Sequence, residues 1–300
     1  MTLNGILIRK TFAEAFPMKA TRIVVTARNR VWLNHAVNSV TGFATSVIAC
    51  KVEAGVEQWL KPSQTPDGRE GAAILFFAMS GDQLEVNLRD RVGQCLLTTP
   101  TSAVFSGMDE GKPVALGKAI RYFGDGYQIS KKLGNKRYWR IPVMDGEFVC
   151  EDVTHRTDSI GGGNFLIVAK DIDSALSAAE SAVAAIDKVA NTITPFPGGV
   201  VRSGSKVGSK YRGLIASTND AYCPTLRGLV PTNLPDGANA VLEIVIDGLN
   251  ESAVGNAMRE GIVAACSGDW SNGILEITAS NFGGKLGPYH FHLHALIDGA

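Results

Sequence analysis

Hydrophobic and polar residues in this chain alternate with a period of about two in some segments, typical of strands, and about 3.6 in others, typical of helices. The two kinds of segment follow one another in a repeated order. In the first half, two rounds of strand, helix and strand are predicted at 22–26, 30–40, 45–50, 72–79, 82–97 and 103–106. The second half repeats this order at 164–169, 174–190, 199–202, 240–246, 251–266 and 274–279. The predicted fold class is therefore α+β, with two ferredoxin-like (βαββαβ) α/β sandwich lobes of pseudo-repeat topology, at residues 1–150 and 151–300.

Residues that favour helix starts precede both helices of the second half. Asp173 or Ser174 can cap the first helix, and Asn250 precedes the second, with Glu251 in its first turn. These positions support the predicted order of elements in this half of the chain.

A hairpin is predicted between residues 123 and 142, where Tyr138 and Trp139 follow a Gly-Asn turn. The turn is flanked by five basic residues, Lys131, Lys132, Lys136, Arg137 and Arg140. Basic residues beside aromatic ones can bind nucleic acid, but a solvated hairpin or a subunit contact is the commoner role of such a segment.

Composition narrows the class of protein. Hydrophobic residues make up 45% of the chain and charged residues 19%, which is typical of a globular protein with a sizeable core. Lys+Arg and Asp+Glu both total 29, so we expect neither nucleic acid nor a membrane as partner. Five separated cysteines without a Cys-x-x-Cys pair fit reduced thiols, and charged residues near the N-terminus argue against a signal peptide. We therefore expect a cytoplasmic protein.

The two halves of the chain carry opposite charge. Residues 1–150 hold 19 basic and 13 acidic side chains, whereas residues 151–300 hold 10 and 16, so the halves are +6 and −6. Complementary charge can orient two lobes or two subunits, which suggests an assembly.

One carboxylate, Glu243, lies inside an otherwise apolar predicted strand. Burial disfavours the charged form of a carboxyl group and raises its pKa, which would make Glu243 a candidate proton donor near neutral pH. The commoner role of a strand carboxylate is structural, facing water or an Arg side chain. The residue pattern alone leaves both interpretations open and favours the structural one.

Three segments have the residue types of anion or pterin sites: Gly161-Gly162-Gly163-Asn164, the bend 195–199 with Pro197, Gly198 and Gly199, and the run 203–210 with Ser205 and Lys206. Glycine lets a backbone approach a ligand closely, and successive N–H groups can hold a phosphate or carboxylate. The spacing around Gly199 and Gly204 misses the nucleotide-binding P-loop pattern, which argues against ATP. Each segment taken singly is typical of a tight turn.

The C-terminal segment places His290, His292 and His294 on one face if it forms a strand. Three histidines can hold zinc, but neither an acidic ligand nor a cysteine is spaced nearby. A polar face on a terminal edge strand is the commoner explanation, so we predict that no metal is bound.

Over nearly its whole length the sequence resembles the formylmethanofuran:tetrahydromethanopterin formyltransferase family. The resemblance rests on separated blocks at 11–17, 41–48, 62–68, 91–95, 161–165, 192–199, 203–206 and 283–289. It implies two α/β sandwich lobes, association into dimers or tetramers, and ligand sites close to subunit interfaces. It also implies reversible formyl transfer between N5 of tetrahydromethanopterin and the amine of methanofuran or methylofuran, with these carriers as co-substrates and no prosthetic group.

The strand glutamate of the family motif falls on Glu243, which reverses the preference for a structural role and marks it as the catalytic acid and base. The resemblance and the loop chemistry together assign substrate binding to Gly161, Gly162, Gly163, Asn164, Pro197, Gly198, Gly199, Ser205, Lys206, Asn281, Gly283, Gly284 and Lys285. The carriers have acidic tails, so Arg202, Lys206, Lys210 and Lys285 are candidates to hold them.

Two alternatives remain open. Glu276 lies in a predicted strand whose residue pattern corresponds to that of the strand with Glu243. If the two strands were adjacent, the two carboxylates would titrate as a pair. The second alternative is that the chain is not an enzyme but a non-catalytic scaffold subunit of a formylmethanofuran hydrolase complex. The lack of an acidic excess suggests a bacterial methylotroph member of the family, working in formaldehyde oxidation to formate.

Overall fold

The computed structural model describes residues 1–298. Eighteen strands are assigned in this part of the chain: β1 Thr2–Leu3, β2 Ile6–Ile8, β3 Phe12–Thr26, β4 Glu53–Leu60, β5 Gly71–Ala78, β6 Ala103–Ser106, β7 Lys112–Ala115, β8 Ile129–Leu133, β9 Lys136–Val143, β10 Gly146–Glu151, β11 Val153–Ala169, β12 Thr192–Ile193, β13 Val200–Val201, β14 Lys206–Val207, β15 Ala216–Ser217, β16 Ala240–Gly248, β17 Ile274–Thr278 and β18 Tyr289–His292. The helices are α1 Arg30–Thr41, α2 Val47–Cys50, α3 Gly81–Arg91, α4 Gly117–Ile120, α5 Ile172–Ile186, α6 Glu251–Ala265 and α7 Leu293–Asp298.

Two structural units divide the chain at positions that differ from the predicted boundary at residue 150. One unit is Met18–Ser159, and the other combines Met1–Pro17 with Ile160–Ala300. The long strands β3 and β11 each contribute residues to both units. A boundary inside a continuous strand has no break in its residue pattern, so these units differ from the lobes at 1–150 and 151–300, which stay a prediction.

The Met18–Ser159 unit contains the predicted ferredoxin-like sheet. Strand β3 lies between β5 and β6, and β5 also pairs with β4, all antiparallel. In this register Ile23 lies opposite Ile74 of β5 and Ser106 of β6. Helices α1 and α3 bury Leu33 and Leu84 in the core of this unit. The order β6-β3-β5-β4 is that of a βαββαβ unit and confirms the prediction for this half.

The predicted strand at 45–50 is wrong, because residues 47–50 form the short helix α2. Ser46 caps this helix through a hydrogen bond from the N–H of Ile48 (3.3 Å), and Glu53 accepts one from the N–H of Val47 (2.9 Å). These side chains satisfy free donors at the helix start, and the strand begins only at Glu53.

The predicted hairpin is confirmed in the same unit. Strand β8 pairs antiparallel with β9 across the Gly134-Asn135 turn, and β9 pairs with β10. Lys136 in this hairpin forms ion pairs with Asp109 (2.7 Å) and Glu151 (3.3 Å), so its charge is neutralised within the protein.

The second unit, which contains Glu243, has the same ferredoxin-like order. Strand β11 lies between β17 and β16, and β16 also pairs with β12 and β13, all antiparallel. The first residues of the chain extend this unit, since β2 pairs parallel with β17 and β18 pairs with residues 12–15 of β3. Helices α5 and α6 cover one face of the sheet and share its core with Phe165, Ile167, Leu242 and Ile244.

The caps of these helices were predicted with mixed success. Asn250 caps α6 through a hydrogen bond from the N–H of Ala253 (2.9 Å), as predicted. Helix α5 begins two residues earlier than predicted, because Asp171, not Asp173 or Ser174, is the cap. The Asp171 carboxylate accepts a hydrogen bond from the N–H of Ser174 (2.8 Å).

The other face of this sheet is covered by an irregular segment, residues 219–238. Leu234 and Ala238 of this segment pack on Val168 and Val241 of the sheet, and Tyr222 joins them. Within residues 1–298, no helix combines the length and apolar character required to cross a membrane. Cys50, Cys95, Cys150, Cys223 and Cys266 are all free thiols.

Candidate functional site

Glu243 lies on the sheet face that the irregular segment covers. Its neighbours in the strand, Leu242 and Ile244, point into the helix-facing core, so strand alternation turns Glu243 to the other side. In the ladder it lies opposite Leu166 of β11 and Val201 of β13. The residue is 9% exposed, which leaves its carboxyl group almost entirely out of water.

A small cavity of about 30 Å³ opens beside this side chain. Its walls include Val201, Arg202, Ser203 and Gly204 from the end of β13 and the residues after it. The covering segment adds Asn219, Tyr222 and Cys223, and the sheet adds Leu166 and Val241. Space of this size holds one or two groups as large as a water molecule.

Burial raises the pKa of Glu243 from the ordinary 4.5 to about 7. An isolated buried carboxylate is strongly disfavoured, so the neutral acid persists to near-neutral pH. A group that is half protonated near pH 7 can donate a proton and take one back under the same conditions. The environment of Glu243 is of the kind that proton transfer by a carboxyl group requires, and the catalytic role stays a prediction.

Glu276 does not adjoin Glu243. Glu243 belongs to the third strand of the ferredoxin-like unit and Glu276 to the fourth, and β11 lies between them. The Glu276 carboxylate, 1% exposed, forms a 2.6 Å ion pair with Arg9. The expectation that the two carboxylates share adjacent strands is therefore wrong, because the order of this fold places its first strand between the third and the fourth.

The triple-glycine segment is a bulge inside β11, where a loop before the strand was predicted. The register shifts between Ile160 and Gly163, and Gly162 has a φ of +91° that disfavours other residues. The N–H of Gly162 donates to Asp247 (3.1 Å). A Cβ on Gly163 would lie 2.3 Å from Cγ1 of Val254 in α6, so this glycine permits close packing of the helix.

Asn164 follows the bulge and faces the same side as Glu243. Its Oδ1 accepts a hydrogen bond from the N–H of Ser280 (2.7 Å), and its Nδ2 donates to the carbonyls of Ser280 (3.2 Å) and Gly162 (3.1 Å). The amide is therefore engaged with the backbone on both its oxygen and its nitrogen.

The loop 281–287 is organised by Glu14, which was not among the site residues predicted from the sequence. The Glu14 carboxylate, 1% exposed, accepts four backbone hydrogen bonds, from Phe282 (2.7 Å), Gly284 (2.8 Å), Leu286 (2.6 Å) and Gly287 (2.7 Å). These bonds outweigh the effect of burial and lower the pKa of Glu14 to about 2.

The glycines of this loop, predicted to bind substrate, use their N–H groups within the protein. Gly284 donates to Glu14, and Gly283 donates to the side chain of Asn281 (3.2 Å). Asn281 in turn donates to Thr11 (3.2 Å) and to the Phe12 carbonyl (3.1 Å). The backbone donors of residues 282–284 are therefore committed to holding the loop.

The bend with Pro197, Gly198 and Gly199 is a short 3₁₀ turn that leads into β13. Gly199 lies against α5, since a Cβ there would approach Val183 to 2.7 Å. The turn delivers β13 to its place beside Glu243, which is a structural contribution to the site.

The basic residues near the site differ in whether a carboxylate of the protein already pairs with them. Lys206, in β14, forms an ion pair with Asp220, which lowers the pKa of that carboxylate. Arg202 lines the cavity with Glu243 and is exposed, as are Ser205, Lys210 and Lys285. Within residues 1–298, Arg202, Lys210 and Lys285 have no salt-bridge partner, so their charges are available to a ligand.

The histidine cluster predicted as an alternative does not share a strand face. His290 and His292 lie in β18 and contact the ring of Phe12, whereas His294 lies in α7 and pairs with the Ile8 carbonyl (2.8 Å). No group of three or more His, Cys, Asp or Glu side chains within residues 1–298 is arranged to hold a metal ion.

Two family models match the chain. The model described as formylmethanofuran-tetrahydromethanopterin formyltransferase matches residues 1–143, and the model of the proximal lobe of the same family matches residues 146–296.

Related proteins match this chain over nearly the full length of both sequences. The formylmethanofuran–tetrahydromethanopterin formyltransferase of Methylococcus capsulatus is 58% identical, covering 99% of this chain and 100% of the relative. A component of the formyltransferase/hydrolase complex of Methylorubrum extorquens is 48% identical, covering 99% of this chain and 97% of the relative.

Solved structures agree with these matches. The crystal structure of the formyltransferase/hydrolase complex from Methylorubrum extorquens, in complex with methylofuran, contains a chain with a TM-score of 0.96 at 48% identity, covering 99% of this chain and 98% of that one. The formyltransferase from Methanosarcina barkeri has a TM-score of 0.93 at 43% identity, covering 99% and 100%. The chain therefore belongs to the formylmethanofuran:tetrahydromethanopterin formyltransferase family of enzymes.

Proposed function

We propose that this chain catalyses the reversible formyl transfer of its family, between N5 of tetrahydromethanopterin and the amine of methanofuran or methylofuran, with Glu243 as proton donor and acceptor. The observation that carries the proposal is the burial of Glu243 beside a small cavity, with a pKa raised to about 7. Both protonation states of Glu243 are accessible near neutral pH, as a reversible transfer requires.

The reaction begins when the amine nitrogen of the acceptor attacks the formyl carbon. A carbon–nitrogen bond forms, the carbonyl electron pair moves to oxygen, and the attacking nitrogen must lose a proton. Collapse of this tetrahedral intermediate breaks the bond to the other nitrogen, which must gain a proton. Neutral Glu243 supplies the proton to the departing nitrogen, and the resulting carboxylate takes one from the attacking amine, so the carboxyl group is regenerated.

The size of the cavity limits what reaches Glu243. Space of about 30 Å³ admits a formyl oxygen or a water molecule but excludes a pterin ring. The rings of both carriers therefore lie outside the cavity, and only the reacting centre approaches the carboxyl group.

Exposed cations are suited to the acidic tails of the carriers. Arg202 lies at the cavity wall, while Lys210 and Lys285 are exposed on segments that follow it in the chain. We assign tail binding to these three residues. Lys206 is the weaker candidate of the predicted set, because Asp220 already holds its ammonium group.

Assembly and location belong to the same proposal. One relative is part of a formyltransferase/hydrolase complex, which supports a role for this chain beside formylmethanofuran hydrolase subunits in a methylotrophic bacterium. We propose a cytoplasmic homodimer or homotetramer within such an assembly, in which formyl transfer to methanofuran leads to formate.

The test is formyl transfer by the purified wild type and by Glu243→Gln, with folding of both checked by circular dichroism. We expect kcat to fall by about 10²-fold or more in Glu243→Gln. Glu276→Gln is a matched control, since Glu276 is also a buried strand glutamate but is paired with Arg9, and the kcat of this variant should stay within a few-fold of wild type.

Equal kcat values for Glu243→Gln and wild type would reject the catalytic assignment. If the wild type transfers no formyl group even when hydrolase subunits are added, the scaffold alternative would replace the proposal.

A further inference from the structure

The formyl oxygen becomes negatively charged in the proposed reaction, and Glu243 does not account for this charge. The carbonyl electron pair moves to the oxygen when the amine attacks, whereas Glu243 exchanges protons with the two nitrogens. A charge that develops away from water is stabilised by hydrogen-bond donors already in place around it. The cavity beside Glu243 is the space that admits the formyl oxygen, so we searched its walls for such a donor.

Besides Glu243, the side chains on these walls that can donate a hydrogen bond are Arg202, Ser203, Asn219, Tyr222 and Cys223. Arg202 and Ser203 are exposed to solvent, where water weakens electrostatic interactions. The Cys223 thiol already donates to the carbonyl of Asn219 (3.4 Å). The ring of Tyr222 packs on the apolar cluster beneath the covering segment. Asn219 is therefore the strongest candidate for the donor.

The side-chain amide of Asn219 is not used by the protein itself. Within residues 1–298 this amide makes no hydrogen bond, although the residue is only partly exposed. A carboxamide has two N–H donors and carries no charge, so it can donate to an oxyanion without first leaving an ion pair. The donors of Asn219 are therefore available to a group that enters the cavity.

Contacts on both sides hold the backbone of Asn219 at the cavity. Its carbonyl accepts a hydrogen bond from the N–H of Tyr222 (3.0 Å), and the next residue, Asp220, forms the ion pair with Lys206. Gly204 has a φ of +57°, and a Cβ there would lie 2.9 Å from the Cβ of Asn219. Glycine at this position thus permits the close approach of the chain after β13. The donor residue is in place before substrate binds, as stabilisation of a developing charge requires.

We propose that Asn219 is a second catalytic residue, whose side-chain N–H donates a hydrogen bond to the formyl oxygen as negative charge develops there. This rests on the proposed formyl transfer with Glu243 as proton carrier. The oxygen takes the carbonyl electron pair when the new carbon–nitrogen bond forms, and the pair returns when the bond to the departing nitrogen breaks. Asn219 keeps its proton throughout, so Glu243 carries the protons and Asn219 stabilises the charge on oxygen.

The test compares formyl transfer by the wild type, Asn219→Ala and Asn219→Asp. We expect kcat of Asn219→Ala to fall by about 10²–10³-fold, the usual loss when one oxyanion donor is removed, with KM changed by less than about threefold. Asn219→Asp keeps the shape of the side chain but replaces the donor by an acceptor, so its kcat should fall at least as far. A packing role of Asn219 would leave the kcat of Asn219→Asp near the wild-type value, which would overturn the proposal.

The pH profile of kcat separates donation to substrate from an effect on Glu243. A donor to the formyl oxygen lowers kcat at every pH, so the midpoint of the profile in Asn219→Ala should equal that of the wild type. If Asn219 acted by holding the Glu243 carboxyl group, its removal would move this midpoint. A displaced midpoint in Asn219→Ala would therefore overturn the proposal.

Asn233→Ala is the matched control. Asn233 is an exposed asparagine of the same covering segment, and the described residues that line the cavity do not include it. Its kcat should stay within a few-fold of wild type. Tyr222→Phe removes the neighbouring hydroxyl, and a large loss of kcat in this variant beside an active Asn219→Ala would assign the donor to Tyr222 and overturn the proposal.

Glu243→Gln, measured beside these variants, separates this proposal from the proposed function. Transfer that is lost in Glu243→Gln but retained in Asn219→Ala would reject the role of Asn219 alone. A wild type that transfers no formyl group even with hydrolase subunits added would reject both proposals. If circular dichroism shows that Asn219→Ala does not fold, Asn219→Asp fills the same space and decides, and a kcat within about tenfold of wild type rejects the proposal.

Discussion

The carboxylate of Glu14 accepts a hydrogen bond from the backbone N–H of Gly287 at 2.7 Å, across 273 positions of the chain. Three further N–H groups share this carboxylate, and its pKa falls to about 2 from the ordinary 4.5. The charged form is therefore favoured in the folded protein. Its contribution to stability is fully present above about pH 4.5 and is lost as the pH falls toward 2.

We predict that Glu14→Gln lowers the free energy of unfolding at pH 7 by roughly 2–4 kcal/mol, because the amide leaves buried N–H groups without an acceptor. Urea unfolding at pH 7 and at pH 3 measures this change. The difference between variant and wild type should shrink at pH 3, and a difference of the same size at both pH values would contradict the prediction.

Glu243 should have the opposite effect on stability. Its pKa is raised to about 7, so the folded protein retains a proton that the unfolded chain releases above about pH 4.5. Stability therefore falls as the pH rises from 4.5 to 7, by roughly 2–4 kcal/mol in total. Glu243→Gln removes this cost.

The expected result is a variant that unfolds at higher urea concentration than wild type at pH 8 and at a similar concentration near pH 4.5. Such a gain in stability beside a loss of activity is typical of residues retained for function. A variant less stable than wild type at pH 8 would show that the Glu243 carboxylate is stabilised by contacts the structure does not contain.

Replacement of the exposed cations should separate binding from chemistry. Arg202→Ala and Lys285→Ala should each raise KM for the carrier whose tail they hold by about tenfold, the equivalent of one charge-assisted hydrogen bond, with kcat nearly unchanged. Lys206→Ala should change KM less, since Asp220 already uses its charge. Steady-state kinetics with each carrier varied in turn gives both constants, and unchanged KM values for Arg202→Ala and Lys285→Ala would exclude tail binding at these positions.

At the bulge before Asn164, we predict that an added Cβ lowers the stability of the protein. Gly163→Ala should destabilise the protein by about 1–3 kcal/mol, because the new Cβ would lie 2.3 Å from Val254. Gly255→Ala in α6 is the matched control. Its Cβ would have a nearest neighbour at 3.4 Å, so this change should be neutral or stabilising by about 0.5–1 kcal/mol. Thermal unfolding of both variants compares them, and equal melting temperatures would contradict the packing argument.

The periodicity of hydrophobic residues was sufficient to predict the ferredoxin-like order, because each central strand and helix turns one face into the core of its own unit. The segment at 45–50 failed, since Ser46 and Glu53 decide its conformation through side-chain contacts that no periodicity reports. The limits of the two compact units have no signal in the periodicity, because β3 and β11 continue across them.

The site was predicted in part for the same reason. A carboxylate in an apolar strand is visible in the sequence and made Glu243 a candidate, although the pattern alone favoured a structural role and the family resemblance was needed to mark it as catalytic. Glu14 has a similar signal, since it lies between the buried Ala13 and Ala15. Its role depends on N–H groups about 270 positions away, which only the folded chain brings to it. The hydrogen bonds between Asn164 and Ser280 also join distant parts of the sequence, 116 positions apart.

The segment Met1–Pro17 belongs to the same unit as the part of the chain that begins at Ile160, with residues 18–159 between them. During synthesis, the Met18–Ser159 unit has all its strands available long before the other unit does. Strand β2 and residue Glu14 are synthesised before this unit, whereas their partners in β17, β18 and the 281–287 loop are synthesised after it. The N-terminal segment therefore has no partner strand or loop until the residues from Ile274 onward have been synthesised, after the whole Met18–Ser159 unit.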